Sequence, residues 1–145
     1  MKKKIENIFL KKKILIYGLG KSGISSFRFL RNKADTYLFD DLKNINPKQI
    51  SKLKLSKIKF DIIIISPGIN IANCKLSKFL KLNKKKIYTD LDVFFTFYKN
   101  KCITITGTNG KSTTAKILYE VLKDQKKDVR LIGNIGNPPL NEKKI

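Results

Sequence analysis

The sequence predicts an α/β fold built on a parallel sheet, and three observations carry that prediction. Short apolar runs alternate with longer amphipathic stretches, the run Ile62-Ile63-Ile64-Ile65 is apolar at every position, and two glycine-rich turns each stand between an apolar run and a helical pattern. Successive side chains of a strand point to opposite faces, so an all-apolar strand needs cover on both, as in a parallel sheet flanked by helices. The connectivity that follows is β-α-β with right-handed crossovers.

In chain order, residues 14–17, 37–39, 62–65, 87–88 and 102–105 read as strands bounded by turn residues. Between the first two, Ile24, Phe27 and Leu30 recur on one side of a helix over 22–32. Leu118, Val121, Leu122 and Gln125 mark a stripe on a second helix over 111–127. Residues 129–132 complete a last strand. The first series of strands ends near residue 92, which gives two units. Residues 1–92 form a Rossmann-like domain, and residues 93–145 begin a second, P-loop-type domain whose two strands cannot cover their own apolar faces. That second unit therefore reads as incomplete.

Composition narrows the function classes. With 41% hydrophobic and 30% charged residues the chain is globular rather than disordered. The net charge of +21 would suit a polyanion. However, the lysines are spread from Lys2 to Lys144, they do not alternate with stacking aromatics, and arginine occurs only at 28, 31 and 130. A solvated surface is the expectation, with no nucleic-acid and no membrane partner. Cys74 and Cys102 have no metal-ligand spacing and the chain has no histidine, so a zinc site or a Cys/His nucleophile cannot be assembled from it. Both thiols are expected to be reduced and buried. No signal-peptide core or membrane-length apolar run is present, and the cytoplasm is the expected location.

Gly18, Gly20 and Gly23, in Gly18-Leu19-Gly20-Lys21-Ser22-Gly23, match G-x-G-x-x-G directly after the first strand and at the start of a helix. Glycines there permit a tight turn and let phosphates approach free N–H groups at the positive end of the helix. Asp40 follows about twenty residues later at the end of the second strand, where an acidic side chain accepts hydrogen bonds from a ribose or base. Such a site takes a nucleotide diphosphate, whether UDP or NAD; alternatively, its glycines serve only close helix–strand packing.

The second turn, Thr106-Gly107-Thr108-Asn109-Gly110-Lys111-Ser112-Thr113, again joins a strand to a helix. Its loop amides can wrap a polyphosphate, Lys111 can reach the β and γ phosphates, and the Ser112 hydroxyl can serve Mg²⁺. The leading glycine of the general P-loop pattern is displaced to Gly107, which makes this a shorter variant.

That variant resembles the ATP loop of Mur ligases and of folylpolyglutamate synthetases, which share an ADP-forming amide-ligase mechanism. Residues 18–25, Ser66-Pro67-Gly68-Ile69, Asp90-Leu91-Asp92-Val93-Phe94 and Gly133-Asn134-Ile135-Gly136-Asn137-Pro138 resemble, in the same order, the D-glutamate-adding branch of the Mur ligase family. Folylpolyglutamate synthetases lack a UDP-binding front domain, and the alanine-adding branch usually carries histidine where Asn109 stands.

The resemblance implies an ATP-dependent ligase of peptidoglycan precursor synthesis that joins D-glutamate to UDP-N-acetylmuramoyl-L-alanine through an acyl phosphate. An NAD-dependent oxidoreductase, or another nucleotide-binding Rossmann protein, is the alternative. By the resemblance, Gly107, Thr108, Asn109, Gly110, Lys111, Ser112 and Thr113 bind ATP, with Lys111 catalytic and Ser112 a Mg²⁺ ligand. Gly18, Gly20, Lys21, Ser22 and Gly23 hold the substrate diphosphate, Asp40 meets uracil or ribose, Ser66, Pro67 and Gly68 close over the nucleotide, and Asn134 touches the muramoyl group. Ser66-Pro67-Gly68 and Asn134 could equally be plain turn residues. The sequence departs from some family members at Asp41 and Leu42, where they place Thr-Arg, and at Ile132, where another glycine is common. The family's histidine and acidic metal ligands, its carbamylated lysine and its third domain have no candidate here, so the 145 residues alone are not expected to catalyse.

Overall fold

A computed structural model describes residues 7–42, 49–133 and 135–141 of the protein. Its centre is a four-stranded, all-parallel sheet formed by β1 (Lys13–Tyr17), β2 (Asp35–Phe39), β3 (Ile62–Ile65) and β4 (Ile87–Tyr88), in the order β2-β1-β3-β4. Ile14 to Tyr17 of β1 register with Ile62 to Ile65 of β3 on one side and with Thr36 to Phe39 of β2 on the other.

The all-apolar strands are covered on both faces, as their sequences require. Ile14, Ile16, Ile62 and Ile64 point to one face, where they pack with Phe27 and Leu30 of α1 (Lys21–Leu30) and Val93 and Phe94 of α4 (Asp90–Phe97). Leu15, Tyr17, Ile63 and Ile65 point to the other, against Leu55 of α2 (Lys52–Ser56) and Leu80 of α3 (Ser77–Leu82). Fully burying one such side chain contributes about 1.5–3 kcal/mol. The period-2 alternation therefore divides one sheet between two cores.

Local chemistry sets the helix starts. Helix α4 opens on a capping box: the Asp92 N–H donates to Thr89 Oγ1 at 3.3 Å, and the Thr89 N–H donates to Asp92 Oδ2 at 2.7 Å. Much of the Asp90-Leu91-Asp92-Val93-Phe94 stretch thus does structural work, since Asp92 caps the helix while Val93 and Phe94 enter the core. The helix also runs across the 92/93 division expected from the sequence. Farther along, Leu140, in a short 3₁₀ turn (Pro139–Asn141), inserts into the same core between α1 and α4.

The remainder differs from expectation. Residues 102–105 join no sheet among the described residues, and Ile103 is 69% exposed. Residues 129–132 contribute only a bridge between Ile132 and Asn137. A strand is held by its ladder partner, and apart from that single bridge neither segment has one among the described residues, so apolar β-rich sequence alone does not make them strands. Helix α5 (Lys111–Asp124) forms as predicted, yet none of its residues is buried. The thiols also depart from expectation: Cys74 is only partly buried and Cys102 is exposed.

Candidate functional site

Parallel strands all end on the same edge of the sheet, and the turns that leave β1, β2 and β3 meet there around a cleft of about 530 Å³. Its walls include Gly18, Gly20, Lys21, Ser22, Asp40, Ser66, Pro67 and Gly68. Seven of these eight lie in two separate sequence motifs; the eighth, Asp40, was singled out by its spacing from the first turn.

The glycines of the first turn divide into two roles. Gly18 has φ +91°, and a Cβ on it would lie 2.8 Å from Ser66 Cβ. A Cβ on Gly23 would lie 1.8 Å from the Gly18 carbonyl oxygen. Both glycines are therefore required for close packing of turn, helix and the β3 loop. Gly20 is different: a Cβ there meets nothing within 4 Å, and the residue opens onto the cleft. It precedes α1, whose first N–H groups have no side-chain cap. These donors face the positive end of the helix dipole and suit a phosphate.

Asp40 is engaged with the turn itself. Its Oδ2 accepts from the Leu19 N–H at 2.6 Å and its Oδ1 from the Leu42 N–H at 2.9 Å. The carboxylate thus fixes the glycine turn from the end of β2. Ser66 likewise spends its proton internally, donating to the Gly18 carbonyl at 2.6 Å. Its oxygen remains an acceptor rather than a donor to phosphate.

Asp41 was treated in sequence only as a departure from the family pattern, yet it organises one wall of the cleft. Its Oδ1 accepts from the Tyr17 hydroxyl at 2.7 Å, its Oδ2 accepts from the Lys75 N–H at 3.1 Å, and its carbonyl accepts from Lys75 Nζ. Tyr17 is fully buried, and burial, followed by its bonds to Cys74 and Asp41, raises its hydroxyl pKa well above the ordinary tyrosine value. The signal available in sequence was the position of Asp41 beside Asp40 at a strand end. Asn70, Asn73 and Cys74 also line the cleft and carry no motif.

Gly133, Gly136 and Pro138 close the cleft from the far end of the chain. Asn134, expected to touch the muramoyl group, lies outside the described residues.

The second glycine turn stands apart from this cleft. Gly107 has φ +145° and Gly110, the residue before α5, has φ +72°, conformations that suit glycine. Lys111 Nζ donates to the carbonyls of Gly107, where the contact is short, and Thr108, at 3.0 Å. Ser112 and Thr113 line a second cavity of about 480 Å³ with Lys116, Leu131, Ile135 and Gly136. Uncapped helix N–H groups, two hydroxyls and an ammonium form a donor set that fits a polyphosphate. Among the described residues, no group of three or more His, Cys, Asp or Glu comes together as a metal site. No described helix is long and apolar enough to cross a membrane.

Comparison with known proteins agrees with both turns. Residues 105–144 match the Mur ligase middle domain. The chain is 37% identical to the UDP-N-acetylmuramoylalanine–D-glutamate ligase of Rickettsia conorii, in an alignment covering 94% of this chain and 29% of that protein. It is 36% identical to the enzyme of the same name from Lachnoclostridium phytofermentans, over 90% of this chain and 32% of the relative. The Aquifex aeolicus enzyme is 35% identical, over 87% and 29%. The chain spans about a third of the length of these relatives. With a match to the middle-domain family and relatives 35–37% identical over nearly the whole chain, the chain belongs to the Mur ligase family.

Proposed function

We propose that this chain is the nucleotide-binding front of a cytoplasmic, ADP-forming amide ligase that adds D-glutamate to UDP-N-acetylmuramoyl-L-alanine in peptidoglycan precursor synthesis. The observation that carries the reading is the meeting of three motif segments and Asp40 in one cleft, with a separate polyphosphate-type turn at α5. A substrate containing a nucleoside diphosphate and a second nucleotide need two such sites.

In this reading residues 1–92, together with the rest of α4, hold the UDP-sugar, and the ATP-binding unit begins after that helix. Gly20, Lys21 and Ser22 receive the diphosphate at the N-terminus of α1. Asp40 meets ribose or uracil, and Ser66, Pro67 and Gly68 cover the nucleotide. Asn134 is assigned to the muramoyl group by family resemblance.

At the second turn, Gly107 to Thr113 cradle ATP. The nucleotide supplies the phosphoryl group that activates the L-alanine carboxylate as an acyl phosphate, from which the amine of D-glutamate displaces phosphate. Lys111 neutralises charge as the phosphoryl group moves, after exchanging the loop carbonyls of Gly107 and Thr108 for phosphate oxygens. The Ser112 hydroxyl would be one ligand of Mg²⁺, whose charge would assist the same transfer.

Calorimetric titration of the chain with UDP-N-acetylmuramoyl-L-alanine, UDP and NAD tests this assignment. Binding of the UDP-sugar, displaced by UDP and not by NAD, is expected. Binding of NAD without competition from UDP would replace the ligase reading with that of an oxidoreductase.

A further inference from the structure

In the sequence the lysines run from end to end and suggest no partner, but the parallel topology redistributes them. All four strands begin on one edge of the sheet, opposite the cleft. The segments leading into three of them carry Lys11 and Lys12 before β1, Lys57 and Lys59 before β3, and Lys84 and Lys85 before β4. All six are exposed, and none of their ammonium groups meets an acceptor among the described residues. Two neighbouring lysines show the contrast: Lys33 Nζ bonds the Phe29 carbonyl and Lys86 Nζ bonds the Phe60 carbonyl.

Acidic counterweights on this edge are few and otherwise engaged. Asp61 Oδ2 accepts the Lys13 N–H and Asp35 Oδ2 accepts the Tyr37 hydroxyl. Among the described residues the only ion pair joins Arg130 to Asp128, away from this edge. Adjacent strands lie about 4.8 Å apart, so the ends of the three neighbouring strands β1, β3 and β4 span roughly 10 Å. That is close to the Debye length of about 8 Å in physiological salt, so lysines on neighbouring strands add to one another's field.

Apolar side chains stand in the same rim. Ile8 and Leu10, just before β1, are 45% and 39% exposed, and Leu82, just before Lys84, is 87% exposed. Lysines interspersed with exposed aliphatic side chains match a bilayer interface, where ammoniums meet anionic headgroups and the aliphatic groups enter the acyl boundary. A nucleic-acid surface would favour arginine forks, whereas the six charges counted here are all lysine and Arg31, at the end of α1, is the arginine beside them.

We propose that this lysine-rich edge docks the protein on an anionic lipid bilayer, with the nucleotide cleft at the other end of the strands facing solution. Such docking is peripheral. It needs no membrane-crossing segment and leaves the cleft open to soluble nucleotides.

Co-sedimentation with phosphatidylcholine vesicles, with and without phosphatidylglycerol, at about 0.15 M salt is the test. The chain is expected to partition onto the anionic vesicles only. The triple variant K12Q/K59Q/K85Q should lose at least about tenfold in partitioning. The equally discharged K123Q/K126Q/K127Q, on and just after α5, should retain it. A second variant, L10S/L82S, should weaken the salt-resistant part of the binding, with circular dichroism confirming that each variant is folded. Equal loss in both triple variants would reduce the effect to net charge and overturn the proposal. So would stronger binding to single-stranded RNA than to the vesicles at the same salt, or full partitioning of the edge variant.

Discussion

A Cβ placed on Gly23 would stand 1.8 Å from the carbonyl oxygen of Gly18, closer than any non-bonded carbon and oxygen can approach. The helix start and the strand end are therefore locked together at one glycine pair. Gly23→Ala must push α1 off β1 and is expected to lower the unfolding midpoint by roughly 10 °C or more, with loss of UDP-sugar binding. Gly20→Ala makes the opposite prediction, because a Cβ there meets nothing. Its midpoint should be unchanged while UDP-sugar affinity falls. Thermal melts and calorimetry on the two variants separate the packing glycine from the ligand-facing one.

Asp40 holds two backbone N–H groups, one on each carboxylate oxygen. In Asp40→Asn one of those oxygens becomes an amide nitrogen, which cannot accept. The substitution should cost about 1–2 kcal/mol of stability through the unsatisfied N–H, measurable by urea unfolding. Affinity for the UDP-sugar should drop as well. An unchanged unfolding curve would mean that the two bonds contribute nothing to the turn.

Tyr17 lies buried with its hydroxyl on Asp41, and burial, its largest cause, raises its pKa above that of the unfolded chain. The sign follows from linkage. A group whose folded pKa is raised contributes stability in full below the unfolded value, near 10 for tyrosine, and loses it as pH climbs beyond that value. Lysines also titrate in this range, so the informative quantity is a difference. The stability of Tyr17→Phe should fall less steeply above about pH 10 than that of the unsubstituted chain. At neutral pH the variant should be about 1 kcal/mol less stable through loss of the hydrogen bond to Asp41. Parallel slopes for the two proteins would refute the assignment.

Lys111 donates to the carbonyls of Gly107 and Thr108 and carries the one side-chain charge assigned to phosphoryl transfer. In a full-length version, Lys111→Ala should abolish ligation while leaving UDP-sugar binding nearly unchanged, since the residue does not line the first cleft. Coupled ADP release and calorimetry read the two effects separately. Substantial turnover in the variant would remove the role proposed for the lysine.

Much of the sheet was legible in sequence because its cause is local. Ile62 to Ile65 and Ile14 to Tyr17 are apolar at every position, and only a strand covered on both faces tolerates that. The glycine turns were legible for the same reason, since each sits between a strand and a helix. The segments at 102–105 and 129–132 were misjudged because strand formation requires a partner, and composition does not provide one. The thiols were misjudged because Cys74 sits at the margin of the core, packed against it but open to the cleft, and Cys102 lies in a segment that joins no sheet among the described residues.

The sequence by itself determined a parallel α/β layout, a glycine turn after β1 and a second one before α5, because glycine spacing and apolar periodicity act over a few residues. Only the tertiary structure decided which glycine packs and which faces the cleft, and that Asp40 and Ser66, expected to meet the nucleotide, also brace the glycine turn. It also decided that Asp41 ties Tyr17 to Lys75, and that scattered lysines gather at one edge of the sheet. Those outcomes depend on distances between residues twenty to fifty positions apart, and such distances are fixed by the register of the parallel strands rather than by any local stretch of chain.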